Sequence, residues 1–214
     1  MSCCCPEARS AGKFFSLFAR NYRKRYAKKG FETSQKLLVE GLRQAGFQNA
    51  SLLEIGSGVG YLHQTLIEDG AASAVGIDLS HRMITEAEAG AAEKGLSDRI
   101  RYILDDFVSM EEVLEPVDIT ILDKVICCYP DADGLVHKSL ERTRRVYALI
   151  YPRDRWFMRA GSRFMAGVFF LLRVQFRSYI HDPKMIEAWI TNAGFGKKYE
   201  NQTIAWLTQV YVRA

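Results

Sequence analysis

SLLEIGSGVG, residues 51–60, is the stretch that decides the fold of this chain of 214 residues. It begins with an apolar run too short for a helix, places glycines at positions 56, 58 and 60, and continues into a helical pattern. The pattern predicts a strand, a glycine turn and a helix. Glycine suits such a turn because a ligand can approach the backbone where no Cβ stands in the way. The free N–H groups of the next helix then favour a polar ligand group.

Further apolar runs of strand length follow this turn, and helical segments separate most of them. They lie at residues 74–80, 100–104, 117–122 and 146–151, and a helix over 183–193 precedes two more strands, at about 197–203 and 204–213, that form a hairpin. The alternation predicts an α/β fold with parallel βαβ units. Ligands bind beyond the carboxyl ends of the strands in such sheets. Asp78, Asp106 and Asp123 all fall at such ends.

The composition fits a cytoplasmic globular protein. Hydrophobic residues make up 48% of the chain and charged residues 25%. No apolar run approaches the roughly 20 residues that cross a bilayer, and we find no signal peptide. The net charge of +4 is too small to indicate nucleic-acid binding. The cysteines at 3, 4 and 5 make a poor disulfide framework, and no Cys or His follows them at the spacing of a zinc finger, so we expect no metal site.

Residues 1–32 are predicted to be a tail followed by an aromatic and basic helix over 13–29. Its aromatic residues recur every fourth position and so share one stripe, and they are Phe14, Phe18, Tyr22 and Tyr26. Two interpretations remain open. The helix packs its aromatics on the domain, or it is a lid over a ligand with Tyr22 or Tyr26 facing the pocket. The main domain then spans residues 33–214.

Residues 153–178 interrupt the alternation with an apolar insert that also carries arginines. These are Arg153, Arg155, Arg159, Arg163, Arg173 and Arg177. The pattern is consistent with a lid over an apolar substrate, a contact with a membrane surface, or a homodimer interface.

The glycine spacing and two acidic residues narrow the choice of ligand. A dinucleotide fold requires Gly-x-Gly-x-x-Gly, whereas this turn has Gly-x-Gly-x-Gly with Glu54 two residues ahead of it. A carboxylate there suits a ligand with an ammonium group rather than a pyrophosphate. Asp78 follows the glycines by about twenty residues, the position from which an acid reaches a ribose.

These motifs resemble those of the class I S-adenosylmethionine-dependent methyltransferases. The resemblance covers residues 33–214 and rests on the segments 54–60, 76–80, 105–107 and 118–131. It implies a Rossmann-like seven-stranded sheet, parallel except for an antiparallel last strand, with flanking helices and an N-terminal helical extension. S-adenosylmethionine would be the cofactor. The cofactor-binding residues would be Glu54, Gly56, Ser57, Gly58, Gly60, Asp78, Leu79, Met83, Asp106, Phe107 and Asp123.

The acceptor is harder to predict. Methyltransferases that act on nucleobase amines usually carry Asn/Asp-Pro-Pro-aromatic after the fourth strand, and this chain has DKVICCYP at 123–130 instead, which indicates a small-molecule acceptor. The last sixty residues are loosely similar to the magnesium-protoporphyrin O-methyltransferase branch, which suggests a flat or apolar acceptor. The catalytic candidates are His181, Tyr26, Lys124 and Tyr129. His181 also fits a structural role beside a helix N-cap, and Cys127 and Cys128 fit packing better than catalysis.

Three functions follow from these patterns. The leading prediction is a methyltransferase that acts on a small, apolar or flat metabolite. The alternative is a protein that binds S-adenosylmethionine without catalysis and associates with a membrane surface or a partner through residues 153–178. RNA methylation through the basic residues 20–29 is the third, and it predicts steeply salt-dependent RNA binding.

Overall fold

The computed structural model describes residues 12–171, 174 and 176–214. Within them the helices are α1 (Ala19–Lys29), α2 (Thr33–Ala45), α3 (Tyr61–Glu68), α4 (His81–Glu93), α5 (Ala132–Glu141), α6 (Trp156–Leu171) and α7 (Pro183–Asn192). The strands are β1 (Ser51–Ile55), β2 (Ser73–Asp78), β3 (Ile100–Leu104), β4 (Val117–Asp123), β5 (Thr143–Pro152), β6 (Phe195–Gln202) and β7 (Trp206–Arg213). Cys3, Cys4 and Cys5 lie outside the described residues.

The seven described strands form one sheet in the order β3-β2-β1-β4-β5-β7-β6. Strands β1 to β5 pair in parallel, and β7 runs antiparallel to both β5 and β6. Both faces are covered, because alternate residues of β1 enter different cores: Leu52 packs on one side, and Leu53 and Ile55 pack on the other. The predicted Rossmann-like sheet with an antiparallel last strand is confirmed.

The aromatic N-terminal segment differs from the single helix predicted over 13–29. Residues 12–16 are helical, a turn follows at 17–18, and α1 then begins at Ala19. The turn has the tighter i→i−3 hydrogen bonds, from the Leu17 N–H to the Phe14 carbonyl and from the Phe18 N–H to the Phe15 carbonyl. The aromatics therefore do not share one face: Phe14 stacks on Phe176, whereas Tyr26 stacks on Tyr61 further along.

The later elements lie close to their predicted positions. The insert forms helix α6, and none of its side chains is buried. Strand β6 begins two residues earlier than predicted, and β7 begins two residues later, at Trp206. Among the described residues, no helix has both the length and the apolar character needed to cross a bilayer.

Candidate active site

The glycine turn after β1 needs backbone angles that only glycine adopts without strain. Gly56, Gly58 and Gly60 have φ values of +66°, +53° and +78°. A Cβ at Gly56 would overlap the Val125 side chain, whereas one at Gly58 would meet no atom within 4 Å. Gly56 is therefore required for packing, and Gly58 leaves open space above the backbone.

That open space belongs to a cleft of about 240 Å³ at the carboxyl ends of β1, β2 and β4. Every cofactor-binding residue predicted from the sequence lines it. They are Glu54, Gly56, Ser57, Gly58, Gly60, Asp78, Leu79, Met83, Asp106, Phe107 and Asp123. Of the catalytic candidates, Tyr26, Lys124 and Tyr129 line it as well. The fold thus brings fourteen of the fifteen predicted residues to one place.

The Asp78 carboxylate is held by two backbone donors. Its Oδ2 accepts a hydrogen bond from the Gly58 N–H and its Oδ1 accepts one from the Ser80 N–H, both at 2.8 Å. Burial raises the pKa of Asp78 to about 6, although these hydrogen bonds oppose the shift. Ser80 in turn caps α4 by accepting from the Met83 N–H, so one loop positions Asp78 and Met83 together. We call Gly58, Asp78, Met83 and Asp106 the nucleoside end of the cleft, after the part of the ligand that the sequence resemblance predicts there.

Asp106 lies at the same end and is oriented by Tyr129. The Tyr129 hydroxyl donates to Asp106 Oδ1 at 2.6 Å, and the Val108 N–H donates to the same oxygen at 3.1 Å. Tyr129 was predicted as a catalytic residue. In the structure its hydroxyl orients the Asp106 carboxylate.

Glu54 is buried, and one of its oxygens is already in use. Oε2 accepts from the His63 N–H at 3.3 Å and lies 2.5 Å from His63 Nδ1. The other ring nitrogen of His63 pairs with the Tyr102 hydroxyl at 2.8 Å. This buried network was not predicted, although His63 does fall in the first turn of the helix that follows the glycines. Only Glu54 Oε1 remains for a ligand.

Asp123 ends β4, and its two oxygens differ. Gln35 Nε2 donates to Oδ2 at 2.6 Å, whereas Oδ1 is buried and has no hydrogen-bond partner among the described residues. Burial raises the pKa of Asp123, while Lys124 and Gln35 oppose the shift and the charge of Glu54 adds to it. An unpartnered buried carboxylate oxygen is costly, so this atom fits a ligand with a donor or a positive charge.

Lys124 follows Asp123 and is tied to the start of α2. Its Nζ lies 2.6 Å from Glu32 Oε2, and Arg25 pairs with Glu32 Oε1 at 2.8 Å. Burial alone would raise the pKa of Glu32, but the hydrogen bond and charge of Lys124, with the charge of Arg25, lower it. Glu32 is therefore ionised at neutral pH, and Lys124 keeps a counter-ion that holds its ammonium group in place.

Helix α1 lies across this part of the cleft. Tyr22 and Tyr26 both line it, and Tyr26 stacks on Tyr61 with ring centroids 3.8 Å apart. The Tyr26 hydroxyl lies 3.1 Å from Thr65 Oγ1, and Arg23 anchors the helix to Glu86 of α4 at 3.0 Å. Burial raises the pKa of Tyr22. We call α1, Glu32 and Gln35 the cover of the cleft.

Two expectations about the site are not met. His181 is not among the residues that line the cleft, because its Nε2 donates to the Ile126 carbonyl at 3.1 Å and burial lowers its pKa. It therefore acts as a neutral packing residue next to Asp182, the N-cap of α7. No described residue of 153–178 lines the cleft, so the structure does not support the interpretation of the insert as a lid, and α1 lies across the cleft instead.

Several cleft residues were not predicted. They include Arg25, Glu32, Gln35, Tyr61 and Cys128. Glu32-x-x-Gln35 is a capping pattern, and the Glu32 N–H does donate to Gln35 Oε1 at 3.2 Å. That signal marks the start of α2 in the sequence, but it carries no information about the distant strand end that α2 meets.

Comparison with known proteins agrees with the fold. Residues 52–147 match the protein family described as "Methyltransferase domain". No curated protein sequence gives a significant match. Magnesium protoporphyrin IX methyltransferase (ChlM) from Synechocystis PCC 6803, solved with bound SAH, superposes with a TM-score of 0.74 at 17% identity, covering 95% of this chain and 98% of that one.

Two other solved structures show how widely this fold is used. The 4+2 cyclase SpnF has a TM-score of 0.72 at 12% identity, covering 96% of each chain. Geranyl diphosphate C-methyltransferase from Streptomyces coelicolor A3(2) has a TM-score of 0.66 at 12% identity, covering 84% of this chain and 78% of that one. Identities this low show the fold alone. Residues 52–147 match the methyltransferase-domain family, and the chain as a whole has the Rossmann-like methyltransferase fold.

Proposed function

We propose that the cleft binds S-adenosylmethionine and that the protein transfers the methyl group to a small-molecule acceptor. The observation that carries this proposal is the position of Asp78. Its carboxylate stands at the end of β2 beside the glycine turn, hydrogen-bonded to the Gly58 N–H and exposed to the same cleft. The methyltransferase-domain match over 52–147 supports the same reading.

The nucleoside end suits the adenosine part of this cofactor. Asp78 would accept hydrogen bonds from the ribose hydroxyls, since an ionised carboxylate makes its strongest hydrogen bonds with such donors. Asp106 would accept from the adenine amino group, held in orientation by Tyr129. Leu79, Met83 and Phe107 would supply the apolar contacts for the ring, and all three line the cleft.

The methionine part carries positive charge, and two carboxylate oxygens are available for it. Asp123 Oδ1 has no partner among the described residues, and Glu54 is close enough for its charge to raise the pKa of Asp123. A cation bound between them would stabilise the ionised form of both. When bound, S-adenosylmethionine supplies an electrophilic methyl group on a sulfonium. The contribution of the protein is then mainly to hold an acceptor in line with that group and to exclude water.

The cover and Lys124 surround the space left for an acceptor. Tyr22 and Tyr26 offer aromatic surface for a flat or apolar molecule. The Lys124 side chain, held by its ion pair with Glu32, suits a hydrogen bond to an acceptor oxygen. Among the predicted catalytic residues, Tyr26 and Lys124 are therefore the two that we place beside the acceptor.

The experiment combines the purified protein with methyl-labelled S-adenosylmethionine and fractions of small molecules from a cell extract. We expect a labelled product of low molecular mass with the wild-type protein and none with Asp78→Asn. Label that appears in RNA or protein instead would contradict a small-molecule acceptor.

A second function, cofactor binding without methyl transfer, is favoured by one comparison. SpnF has the same fold and is named a cyclase, so the fold by itself does not require methyl transfer. This alternative predicts that calorimetry detects binding of S-adenosylhomocysteine, the demethylated product, while every extract fraction leaves the labelled cofactor unchanged.

A further inference from the structure

Helix α6 is mostly apolar, yet it is exposed to solvent. Eleven of its 16 residues are hydrophobic, and none is buried. Trp156, Phe164, Phe170 and Leu171 are each between 72% and 81% exposed. Apolar side chains this large and this close together mark an interaction site, because single exposed residues are common but contiguous apolar patches are rare.

The exposed apolar side chains and the arginines share one side of α6. At about 100° per residue, Trp156 and Phe170 fall beside Arg159 and Arg163, and Phe164 and Leu171 fall next to Trp156. All six of these side chains are exposed. The helix therefore presents a side to solvent on which apolar and basic residues are mixed.

The apolar surface continues onto the N-terminal segment. Phe14 stacks on Phe176 with ring centroids 4.7 Å apart and contacts Phe169 of α6 at 5.6 Å. Leu17, three residues later, is 69% exposed. The segment 12–18 and α6 thus form one continuous surface on the molecule.

Charge is unevenly distributed between these segments and the rest of the chain. Residues 12–18 and 155–171 contain four basic residues, Lys13, Arg155, Arg159 and Arg163, and no Asp or Glu. The remaining residues contain 25 basic and 25 acidic side chains. The net charge of +4 is therefore concentrated on this apolar surface.

We propose that residues 12–18 and 155–171 form a docking surface for an anionic lipid bilayer. Aromatic and aliphatic side chains enter the boundary between headgroups and acyl chains, while the arginines bind lipid phosphates. RNA would match the basic charge but gives no reason to expose Phe164 and Leu171. A second copy of the chain would bring two sets of arginines together, and like charges disfavour that interface.

The location of this surface relates it to the cleft. Gly12 and Phe15, which belong to the same segment, line the cleft. Docking would therefore bring one rim of the cleft to the bilayer, where an apolar acceptor could enter without crossing water. The docking itself goes beyond the proposed methyl transfer and does not depend on it.

The test is sedimentation of the purified protein with vesicles, without any activity measurement. We expect the protein to bind vesicles of phosphatidylcholine and phosphatidylglycerol in equal parts and to bind vesicles of phosphatidylcholine alone much more weakly. Added salt should reduce the binding, because it screens the attraction to the anionic headgroups.

Two pairs of variants assign the binding to this surface. Phe164→Ser with Leu171→Ser should weaken binding by about 10-fold or more, whereas Ile204→Ser, which alters a side chain that is 81% exposed on the turn between β6 and β7, should not. Arg155→Glu with Arg163→Glu should weaken it by about 25-fold or more, at about 5-fold for each arginine. Lys36→Glu with Lys184→Glu, at two exposed positions elsewhere, is the matched control.

Four results would overturn the proposal. The first is failure of the wild-type protein to bind the mixed vesicles, and the second is full binding by both double variants. The third is a dimer in analytical ultracentrifugation that Phe164→Ser with Leu171→Ser converts to monomer. The fourth is salt-sensitive binding to RNA that is tighter than binding to the vesicles.

Discussion

The nucleoside end and the cover of the cleft differ in the sequence separation of the residues that form their hydrogen bonds. At the nucleoside end, the hydrogen bonds to Asp78 come from residues 2 and 20 positions away. At the cover, Gln35 reaches Asp123 across 88 positions and Lys124 reaches Glu32 across 92. The part of the nucleoside end around Asp78 is therefore built by a local strand–turn–helix–strand unit, whereas the cover depends on tertiary packing. Changes at the first should weaken ligand binding much more than changes at the second.

The largest expected effect is that of Asp78→Asn on cofactor affinity. Two hydrogen bonds from ribose hydroxyls to a charged acceptor contribute about 1.5–3 kcal/mol each, so we expect at least a roughly 100-fold loss of S-adenosylhomocysteine affinity in calorimetry. Folding should be little affected at pH 7.5, because relief of an unfavourable buried charge offsets the lost backbone hydrogen bond. An unchanged affinity would show that the nucleoside does not bind at this end.

The titration of Asp78 should give opposite pH dependences for cofactor binding and for protein stability. Its pKa is raised from 3.8 to about 6 in the folded protein, so its contribution to stability is complete below about pH 4 and is lost as pH rises through 6. Cofactor affinity should instead increase through pH 6, since the ionised carboxylate is the better acceptor. Between pH 5 and pH 8, thermal unfolding measures the stability and calorimetry measures the cofactor affinity. Both of these pH dependences should disappear in Asp78→Asn.

Gly58→Ala should give the next largest effect. Gly58 has a φ of +53°, and an alanine in that conformation loses about 1–2 kcal/mol of stability. The new Cβ would project into open space in the cleft. We expect about a 10-fold or greater loss of cofactor affinity. Gly95→Ala is the control, since its φ is +67°, its Cβ would also meet no atom within 4 Å, and it lies outside the cleft. Both variants should lose the same stability, and only Gly58→Ala should lose affinity.

Gln35→Ala tests the cover and should have a smaller effect on binding. Removal of the donor to Asp123 Oδ2 leaves both carboxylate oxygens without a partner among the described residues, which costs about 1–3 kcal/mol of stability. The pKa of Asp123 should rise further, so cofactor affinity should begin to fall at a higher pH than in the wild type. Gln44→Ala, which removes an exposed hydrogen bond to Glu40, should change neither quantity. Equal effects of the two variants would contradict a role for Gln35 at the cleft.

His181→Ala should have the smallest effect of the set. The side chain donates to the Ile126 carbonyl and does not line the cleft, so we expect a loss of about 0.5–1.5 kcal/mol in stability and a change of less than about threefold in cofactor affinity. A large loss of cofactor affinity with normal stability would show that His181 does contribute to the site.

The sequence predicted the fold and the residues that line the cleft beside the glycine turn, because both depend on short-range patterns. The glycine spacing, Glu54 and Asp78 lie within one strand–turn–helix–strand unit, and each lines the cleft as expected. The cover could not be predicted in the same way. Nothing in the spacing of Gln35 and Asp123 indicates that they touch, and the aromatic repeat over 14–26 gave no sign of the turn at residues 17–18 that divides it.

The insert at residues 153–178 shows a second limit of prediction from the sequence. The structure has an apolar helix there with no buried side chain, but composition cannot tell whether such a helix faces its own cleft or the solvent. The N-terminal segment 12–18 borders the cleft, and α6 does not. Helix α6 contacts that segment through Phe169 and Phe14.

A crystal structure of the protein with S-adenosylhomocysteine tests the central claim most directly. Our account predicts the ribose hydroxyls on Asp78, the adenine beside Asp106 and Phe107, and the amino group of the homocysteine part near Asp123 Oδ1, with α1 over the sulfur. A nucleoside bound elsewhere, or an empty cleft at saturating ligand, would contradict it.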